Sequence, residues 1–119
     1  MHFANYGDSN GIELWKYNGV NTPSMVADIY SGSGSSSPND LIVFNNALYF
    51  EAYDVTSGYE LWKYVGVNAP SMFADIRSGS GSSYPSDFIV YKSMLWFRAN
   101  DGTNGVELWR VGVSVGAQL

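Results

Sequence analysis

The sequence contains no cysteine, only one histidine and only six basic residues. Without cysteine, the chain can form no disulfide, no thiolate metal site and no cysteine nucleophile. The single histidine excludes a metal or catalytic site that needs several imidazoles. Six Lys and Arg residues against 11 Asp and Glu residues give a formal net charge of −5. We therefore expect no nucleic-acid partner.

Long apolar runs and helical patterns are also missing. No apolar run approaches the roughly 18 residues of a membrane-spanning helix, so we expect no membrane span. Met1 leads into His-Phe-Ala-Asn-Tyr, which has neither a basic segment nor an apolar one, so we expect no signal peptide in this chain. No apolar period of 3.6 residues is visible. A chain of 119 residues, 45% of them hydrophobic, is nevertheless long enough for one small globular domain.

An internal repeat dominates what the chain does contain. The tripeptide Glu-Leu-Trp begins at Glu13, Glu60 and Glu107, at intervals of 47 residues. When residues 12–58 are aligned with residues 59–105 without a gap, 30 of the 47 positions are identical. The chain thus comprises about two and a half units of one motif, and a period of this length indicates a repeat architecture.

Each unit contains four short runs rich in β-branched and aromatic residues, which predict strands. In the middle unit these runs are 41–44, 48–53, the Glu-Leu-Trp run ending near Tyr64, and 72–76, with counterparts such as 25–29 in the first unit. The pair Asn45-Asn46 predicts a tight hairpin. We predict an all-β chain of tandem four-stranded antiparallel β-propeller blades, about two and a half blades per chain. A β-solenoid is the alternative.

Two Ser/Gly-rich segments are predicted to link the blades. They divide a single repeat domain, residues 1–119, into a partial unit (1–30), a linker (31–38), a blade (39–77), a second linker (78–85) and a partial blade (86–119). Counted by class, the first unit lacks an innermost strand and the last unit lacks an outer one. Because propellers need at least four blades to close, we expect the chain not to form a closed propeller alone.

The order of these motifs resembles the bacterial repeat known as ELWxxDGT. The units combine Asp-x-x-x-Gly-x-Glu-Leu-Trp with Ala-Asp-Ile, Ser-Gly-Ser-x-x-Ser-x-Pro and Leu-Tyr-Phe-x-Ala. The Ser-Asp-Gly-Thr that follows Glu-Leu-Trp in that family is replaced here by residues 17–20 and 64–67, which keep only its glycine. The resemblance implies a propeller-like fold, an extracellular or cell-surface location and no catalytic motif.

The carboxylates recur with the repeat, and we predict that they are structural. The recurring sets are Glu13, Glu60 and Glu107; Asp28 and Asp75; Asp40 and Asp87; and Asp54 and Asp101. A carboxylate copied into each unit is typical of a turn cap or an acceptor for backbone N–H groups. We therefore predict no catalytic residue and no cofactor, with calcium bound by oxygens of residues 101–107 as the alternative. Glu51 and Arg98, at equivalent positions, are expected to form an ion pair.

Aromatic residues make up 16% of the chain. Trp15, Trp62 and Trp109 recur with the repeat and are predicted to pack between blades as structural residues. Sugars stack on exposed aromatic faces, so aromatic residues that vary between copies are the candidate ligand-binding residues. These are Tyr30, Tyr53, Tyr84 and Trp96.

Two functions from different classes fit these observations. We favour a non-enzymatic structural or interaction module whose partners are copies of itself or further blades of a longer array. A catalytic site normally breaks repeat symmetry with one unique polar constellation, and none is visible. The alternative is a carbohydrate-binding, lectin-like propeller that binds glycans.

Overall fold

The computed structural model describes residues 1–7 and 9–111, and this part of the chain contains ten strands and no helix. The predicted all-β class is confirmed. The strands are β1 (His2–Gly7), β2 (Gly11–Lys16), β3 (Ser24–Ala27), β4 (Asn39–Phe44), β5 (Ala47–Asp54), β6 (Gly58–Tyr64), β7 (Ser71–Ala74), β8 (Ser86–Tyr91), β9 (Met94–Asn100) and β10 (Val106–Val111).

The strands form three antiparallel sheets in which each strand pairs with its neighbours along the chain. The N-terminal sheet has the order β1-β2-β3, the middle sheet β4-β5-β6-β7 and the C-terminal sheet β8-β9-β10. The Glu-Leu-Trp residues lie on β2, β6 and β10. Both Ser/Gly-rich linkers lie outside the strands, as predicted. The described strands do not close into a ring.

The middle sheet is covered on both faces. One face packs Phe50 and Trp62 against Leu14 of the N-terminal sheet. The other packs Tyr49 and Leu61 of the middle sheet against the C-terminal sheet. Further residues of the two cores are Leu48, Ala52 and Tyr64 on the first face, and Phe44, Ala47, Leu95, Phe97, Ala99 and Val111 on the second. Burial of both faces explains why the apolar runs show no clean alternation.

The outer strands are shorter than the sequence predicts. The runs 25–29 and 72–76 were expected to be strands, yet β3 ends at Ala27 and β7 at Ala74. The N–H groups of Ile29 and Ile76 donate to glutamate side chains instead of continuing the ladder. The prediction was wrong by two residues because a side-chain acceptor competes with strand pairing at this point.

Two-residue hairpins join the first two strands of the middle and C-terminal sheets. Asn45 and Asn46 adopt φ of 50° and 61°, as the Asn pair predicts. Lys92 and Ser93 adopt the same left-handed conformation, with φ of 51° and 63°. Neither Lys nor Ser favours this region, so the C-terminal hairpin carries strain that the middle one avoids.

Candidate functional site

Glu60 on β6 is wholly buried, and its carboxylate accepts four hydrogen bonds. Its Oε1 accepts from the Ile76 N–H at 2.8 Å and from the Ser83 hydroxyl at 2.6 Å. Its Oε2 accepts from the N–H groups of Arg77 at 3.3 Å and Ser83 at 3.2 Å. Burial raises the pKa of Glu60 above its usual value, and these hydrogen bonds oppose that rise.

Glu13 on β2 has the same arrangement one unit earlier. Its carboxylate accepts from the N–H groups of Ile29 at 2.9 Å and Tyr30 at 3.1 Å. Ser36 donates its N–H at 3.2 Å and its hydroxyl at 2.5 Å. We call each such set of bonds a linker clasp, because one carboxylate holds both the end of the outer strand and the linker that follows.

Each linker clasp also joins two sheets. The Ser36 carbonyl accepts from the Tyr53 N–H of the middle sheet at 2.8 Å, and the Ser83 carbonyl accepts from the Asn100 N–H of the C-terminal sheet at 2.9 Å. The same two serines are therefore bonded to a glutamate in one sheet and to a backbone amide in the next. The linker clasps hold each sheet in position against the next one. Each clasp carboxylate accepts four hydrogen bonds.

Glu107 on β10 occupies the same motif position but is exposed, and no described residue donates to its carboxylate. In the two complete clasps, the donors lie 16, 17 and 23 residues after the glutamate. Counted from Glu107, those positions lie outside the described residues. Within the described chain, the third Glu-Leu-Trp motif has no linker clasp.

The C-terminal sheet leaves one apolar face uncovered. Leu108 is 69% exposed, whereas Leu61, its counterpart in the middle sheet, is fully buried. Tyr91 is 58% exposed, whereas its counterpart Phe44 is 5% exposed. Together with Ile89, and with Trp96 at the position of Tyr49, these residues form what we call the open C-terminal face.

The N-terminal sheet has a less covered face on the opposite side. Its residues are Phe3, Trp15 and Met25, which are half-buried, and Tyr17, which is exposed. They stand at the positions of Phe50, Trp62, Met72 and Tyr64, which pack against the N-terminal sheet within the chain. We call these four residues the open N-terminal face. Trp62 is buried, and Trp109 packs against the core between the middle and C-terminal sheets.

Three of the four candidate ligand-binding residues come together in a row of tyrosines. Tyr30 and Tyr53 stack with ring centres 5.7 Å apart and planes 13° apart. Tyr53 contacts Tyr59 at 5.2 Å, and Tyr59 stacks on Tyr84 at 5.5 Å. The rings cover much of one another's faces, which leaves Tyr84, 61% exposed, as the most accessible.

The tyrosine row includes Tyr59, which is not among the predicted candidates, and does not include Trp96, which is. Tyr59 aligns with Ile12 and Val106. It is therefore an aromatic residue at a position that varies between copies, which is the criterion that the predicted candidates meet. Trp96 lies outside the tyrosine row, with the Arg110 guanidinium 5.8 Å from its ring centre. Its indole N–H donates to the Tyr91 carbonyl at 3.0 Å.

The carboxylates of the turns accept hydrogen bonds from backbone N–H groups of the same turns. Asp101 Oδ1 accepts from the N–H groups of Thr103 and Asn104, each at 2.8 Å, and these bonds hold the pKa of Asp101 below its usual value. Asp54 accepts from Thr56 and Ser57 in the same way. Over residues 1–7 and 9–111, no group of three or more His, Asp and Glu side chains is arranged to hold a metal ion.

The expected ion pair between Glu51 and Arg98 is wrong. Arg98 Nε lies 3.0 Å from Asp87 Oδ2, and this exposed pair is the one salt bridge among the described residues. Glu51 shares a face with Tyr49 and points towards the C-terminal sheet. Arg98 lies on β9 of that sheet, and its side chain points away from the middle sheet. Burial, and then the charge of Asp40, raise the pKa of Glu51 to about 7.

The described part of the chain holds no helix long and apolar enough to cross a membrane. No family model matches the chain, and neither the curated proteins nor the solved structures compared with it give a match. The likeness to ELWxxDGT repeats therefore rests on the sequence motifs alone.

Proposed function

We propose that the chain is a non-enzymatic structural and interaction module made of β-propeller blade repeats, which self-associates or belongs to a longer array. One observation carries this proposal: the open C-terminal face exposes Leu108, although the residue at the same position in the middle sheet is fully buried. Apolar surface of this kind gains free energy when another surface covers it. Within the chain, the equivalent face is covered by the next sheet of the repeat.

A second copy of the chain offers the matching surface. Its open N-terminal face presents Phe3 and Trp15 at the positions of Phe50 and Trp62, which cover the preceding sheet inside one chain. The contact joins two different surfaces and is therefore heterologous. Such a contact closes into a ring, as in a propeller, or continues as a fibre.

The hydrogen bonds that the recurring carboxylates accept support the proposal that the chain is not an enzyme. Glu13 and Glu60 each accept four hydrogen bonds, from the residues that follow the outer strand and from the linker. Asp54 and Asp101 accept from their own turns. An extracellular or cell-surface location is part of the proposal and rests on the family resemblance.

Native mass spectrometry and light scattering at micromolar concentration test self-association. We expect assemblies larger than the 13.1 kDa chain. Ile89→Glu places a charge on the open C-terminal face and is expected to shift the protein to monomers. Val55→Glu is the matched control, because Val55 is 66% exposed in the turn between β5 and β6. A stable monodisperse monomer of the unaltered chain would refute self-association.

Carbohydrate binding is the second candidate function, and the tyrosine row favours it. Tyr30, Tyr84 and Trp96 are the aromatic candidates that do not lie between two other rings, and Tyr84 is the most exposed of them. The faces of Tyr53 and Tyr59 are largely taken up by neighbouring tyrosines, which ranks this function second. A glycan array with the unaltered chain and with Tyr84→Ala and Trp96→Ala tests it. Retained binding in both variants would exclude these residues as the platform.

A further inference from the structure

The tyrosine row consists of four side chains that differ from their counterparts in the neighbouring units. Those counterparts are Arg77 for Tyr30, Asn100 for Tyr53, Val106 for Tyr59 and Ser37 for Tyr84. The first two strands of the middle sheet nevertheless pair in the same register as those of the C-terminal sheet. The fold therefore does not require phenol rings at these positions, and their convergence needs a separate explanation.

Tyr59 and Tyr84 are the stacked pair that is most open to solvent. Their ring centres lie 5.5 Å apart and their planes differ by 26°. This is offset stacking, in which the edge of one ring lies over the other. Tyr84 is 61% exposed, whereas Tyr59 is half-buried beneath it. A reagent in solution thus reaches Tyr84 first, and a second phenol is already in contact with that ring.

Backbone hydrogen bonds hold these two tyrosines side by side. The Tyr59 N–H donates to Ser82 Oγ at 2.9 Å, and the Tyr59 carbonyl accepts from the Ser83 N–H at 2.9 Å and from the Tyr84 N–H at 3.4 Å. The same serine, Ser83, also binds Glu60 in the linker clasp. The contact between the rings is therefore built into the part of the fold that joins the middle and C-terminal sheets.

The other exposed tyrosines have no such neighbour. Tyr6, Tyr17 and Tyr91 are 64%, 38% and 58% exposed. In the described part of the chain, the contacts between tyrosine rings are those of the tyrosine row and include none of these three. Two tyrosyl radicals couple when their rings meet, so coupling within one chain is expected in the row and not at these three positions.

We infer that Tyr59 and Tyr84 form a site of oxidative cross-linking, at which a one-electron oxidant of the haem-peroxidase class, supplied with hydrogen peroxide, joins the two rings as dityrosine. Each phenol loses one electron and one proton, and the two radicals form a carbon–carbon bond between ring positions ortho to the oxygens. The hydrogens at these positions then move to the oxygens as protons, which restores both aromatic rings. The two electrons and two protons lost overall reduce one hydrogen peroxide to two water molecules.

This bond supplies a covalent cross-link to a chain that has no cysteine. It closes a loop that contains β6, β7 and the second linker, and such a loop constrains the unfolded chain as a disulfide does. It also spans the linker clasp on Glu60. Both rings belong to one chain, so the inference does not rest on the proposed self-association.

Treatment of the full chain with a haem peroxidase and hydrogen peroxide tests the site. We expect dityrosine fluorescence in protein that still migrates as a single chain on a denaturing gel. After digestion with trypsin, mass spectrometry is expected to find the peptides 17–63 and 78–92 joined, with the loss of two hydrogen atoms. In a mixture of unlabelled and isotope-labelled protein, both joined peptides are expected to carry the same label, because the bond forms within one chain.

Tyr59→Phe and Tyr84→Phe each keep an aromatic ring and remove the phenol, so each is expected to abolish this product. Tyr91→Phe is the matched control and is expected to leave the yield unchanged, because Tyr91 is 58% exposed and lies in the same tryptic peptide as Tyr84. Joined peptides of mixed label would overturn the inference, as would an undiminished yield from Tyr84→Phe. The absence of dityrosine in the unaltered chain would overturn it as well.

Discussion

The Ser83 hydroxyl donates to Glu60 Oε1 over 2.6 Å, and both residues are buried between the middle and C-terminal sheets. The carbonyl of the same serine accepts from the Asn100 N–H. Ser83 thus bonds simultaneously to two sheets that are otherwise held together by apolar packing. The linker is a structural element of the interface and not merely a connection.

Ser83→Ala is expected to lower the free energy of unfolding by about 1–3 kcal/mol, because it removes a hydroxyl donor from a buried carboxylate. Urea denaturation followed by tryptophan fluorescence measures the change. Ser78→Ala serves as the control, since Ser78 lies in the same linker and is exposed. Equal midpoints for the two variants would show that the hydroxyl contributes nothing to the clasp.

Glu51 is expected to make stability depend on pH. The pKa of Glu51 is raised to about 7 in the folded chain, so between about pH 4.5 and 7 the folded state binds its proton more tightly than the unfolded state does. Stability therefore falls as pH rises through this range and levels off above it. Glu51→Gln is expected to remove that part of the dependence and to stabilise the protein at pH 8, by on the order of 2 kcal/mol.

Urea midpoints of the unaltered chain and Glu51→Gln at pH 5 and pH 8 test this expectation. The gap between the two proteins should be wider at pH 8. A gap of the same size at both values would mean that Glu51 titrates alike in the folded and unfolded states.

A glycine in the hairpin at Lys92 and Ser93 is expected to make the folded chain more stable. Ser93 has a φ of 63° and Asn46, its counterpart, has 61°. Because glycine adopts this conformation without strain and asparagine tolerates it, Ser93→Gly is expected to stabilise the chain by about 0.5–1 kcal/mol, and Asn46→Gly by less. Thermal unfolding of the two variants gives the comparison. A larger gain from Asn46→Gly would contradict the argument.

Much of the fold could be predicted because the repeat enforces it. Thirty identities in 47 aligned positions place equivalent strands and turns in equivalent surroundings, and the strand at Glu60 has the pairing partners of the strand at Glu13. The recurrence of the carboxylates with the repeat predicts that they are structural. It does not predict their hydrogen-bond partners, because the donors to Glu60 lie 16 to 23 residues away in the chain.

The predictions fail for contacts between side chains of two different sheets, because such contacts depend on how the sheets pack. Glu51 and Arg98 were expected to pair because they are equivalent, yet equivalent side chains in stacked sheets point the same way and lie about a sheet spacing, roughly 10 Å, apart. The tyrosine row likewise depends on how two sheets pack. Tyr30 follows β3 in the N-terminal sheet and Tyr53 belongs to the middle sheet, so no spacing along one strand predicts their stacking.

Two glycines at equivalent positions are expected to respond differently to one substitution. Gly58 and Gly105 both have positive φ, at 72° and 78°, so alanine costs each about 1 kcal/mol of backbone strain. At Gly58 the new Cβ would also lie 2.7 Å from Ser82 Oγ and 2.8 Å from the Gly81 carbonyl oxygen, whereas nothing lies within 4 Å at Gly105. Gly58→Ala must therefore displace the linker that completes the clasp on Glu60, and we expect it to lose at least about 2 kcal/mol more than Gly105→Ala in urea denaturation. Equal losses would mean that the linker yields to the methyl group, and the clasp would then not hold the sheets rigidly.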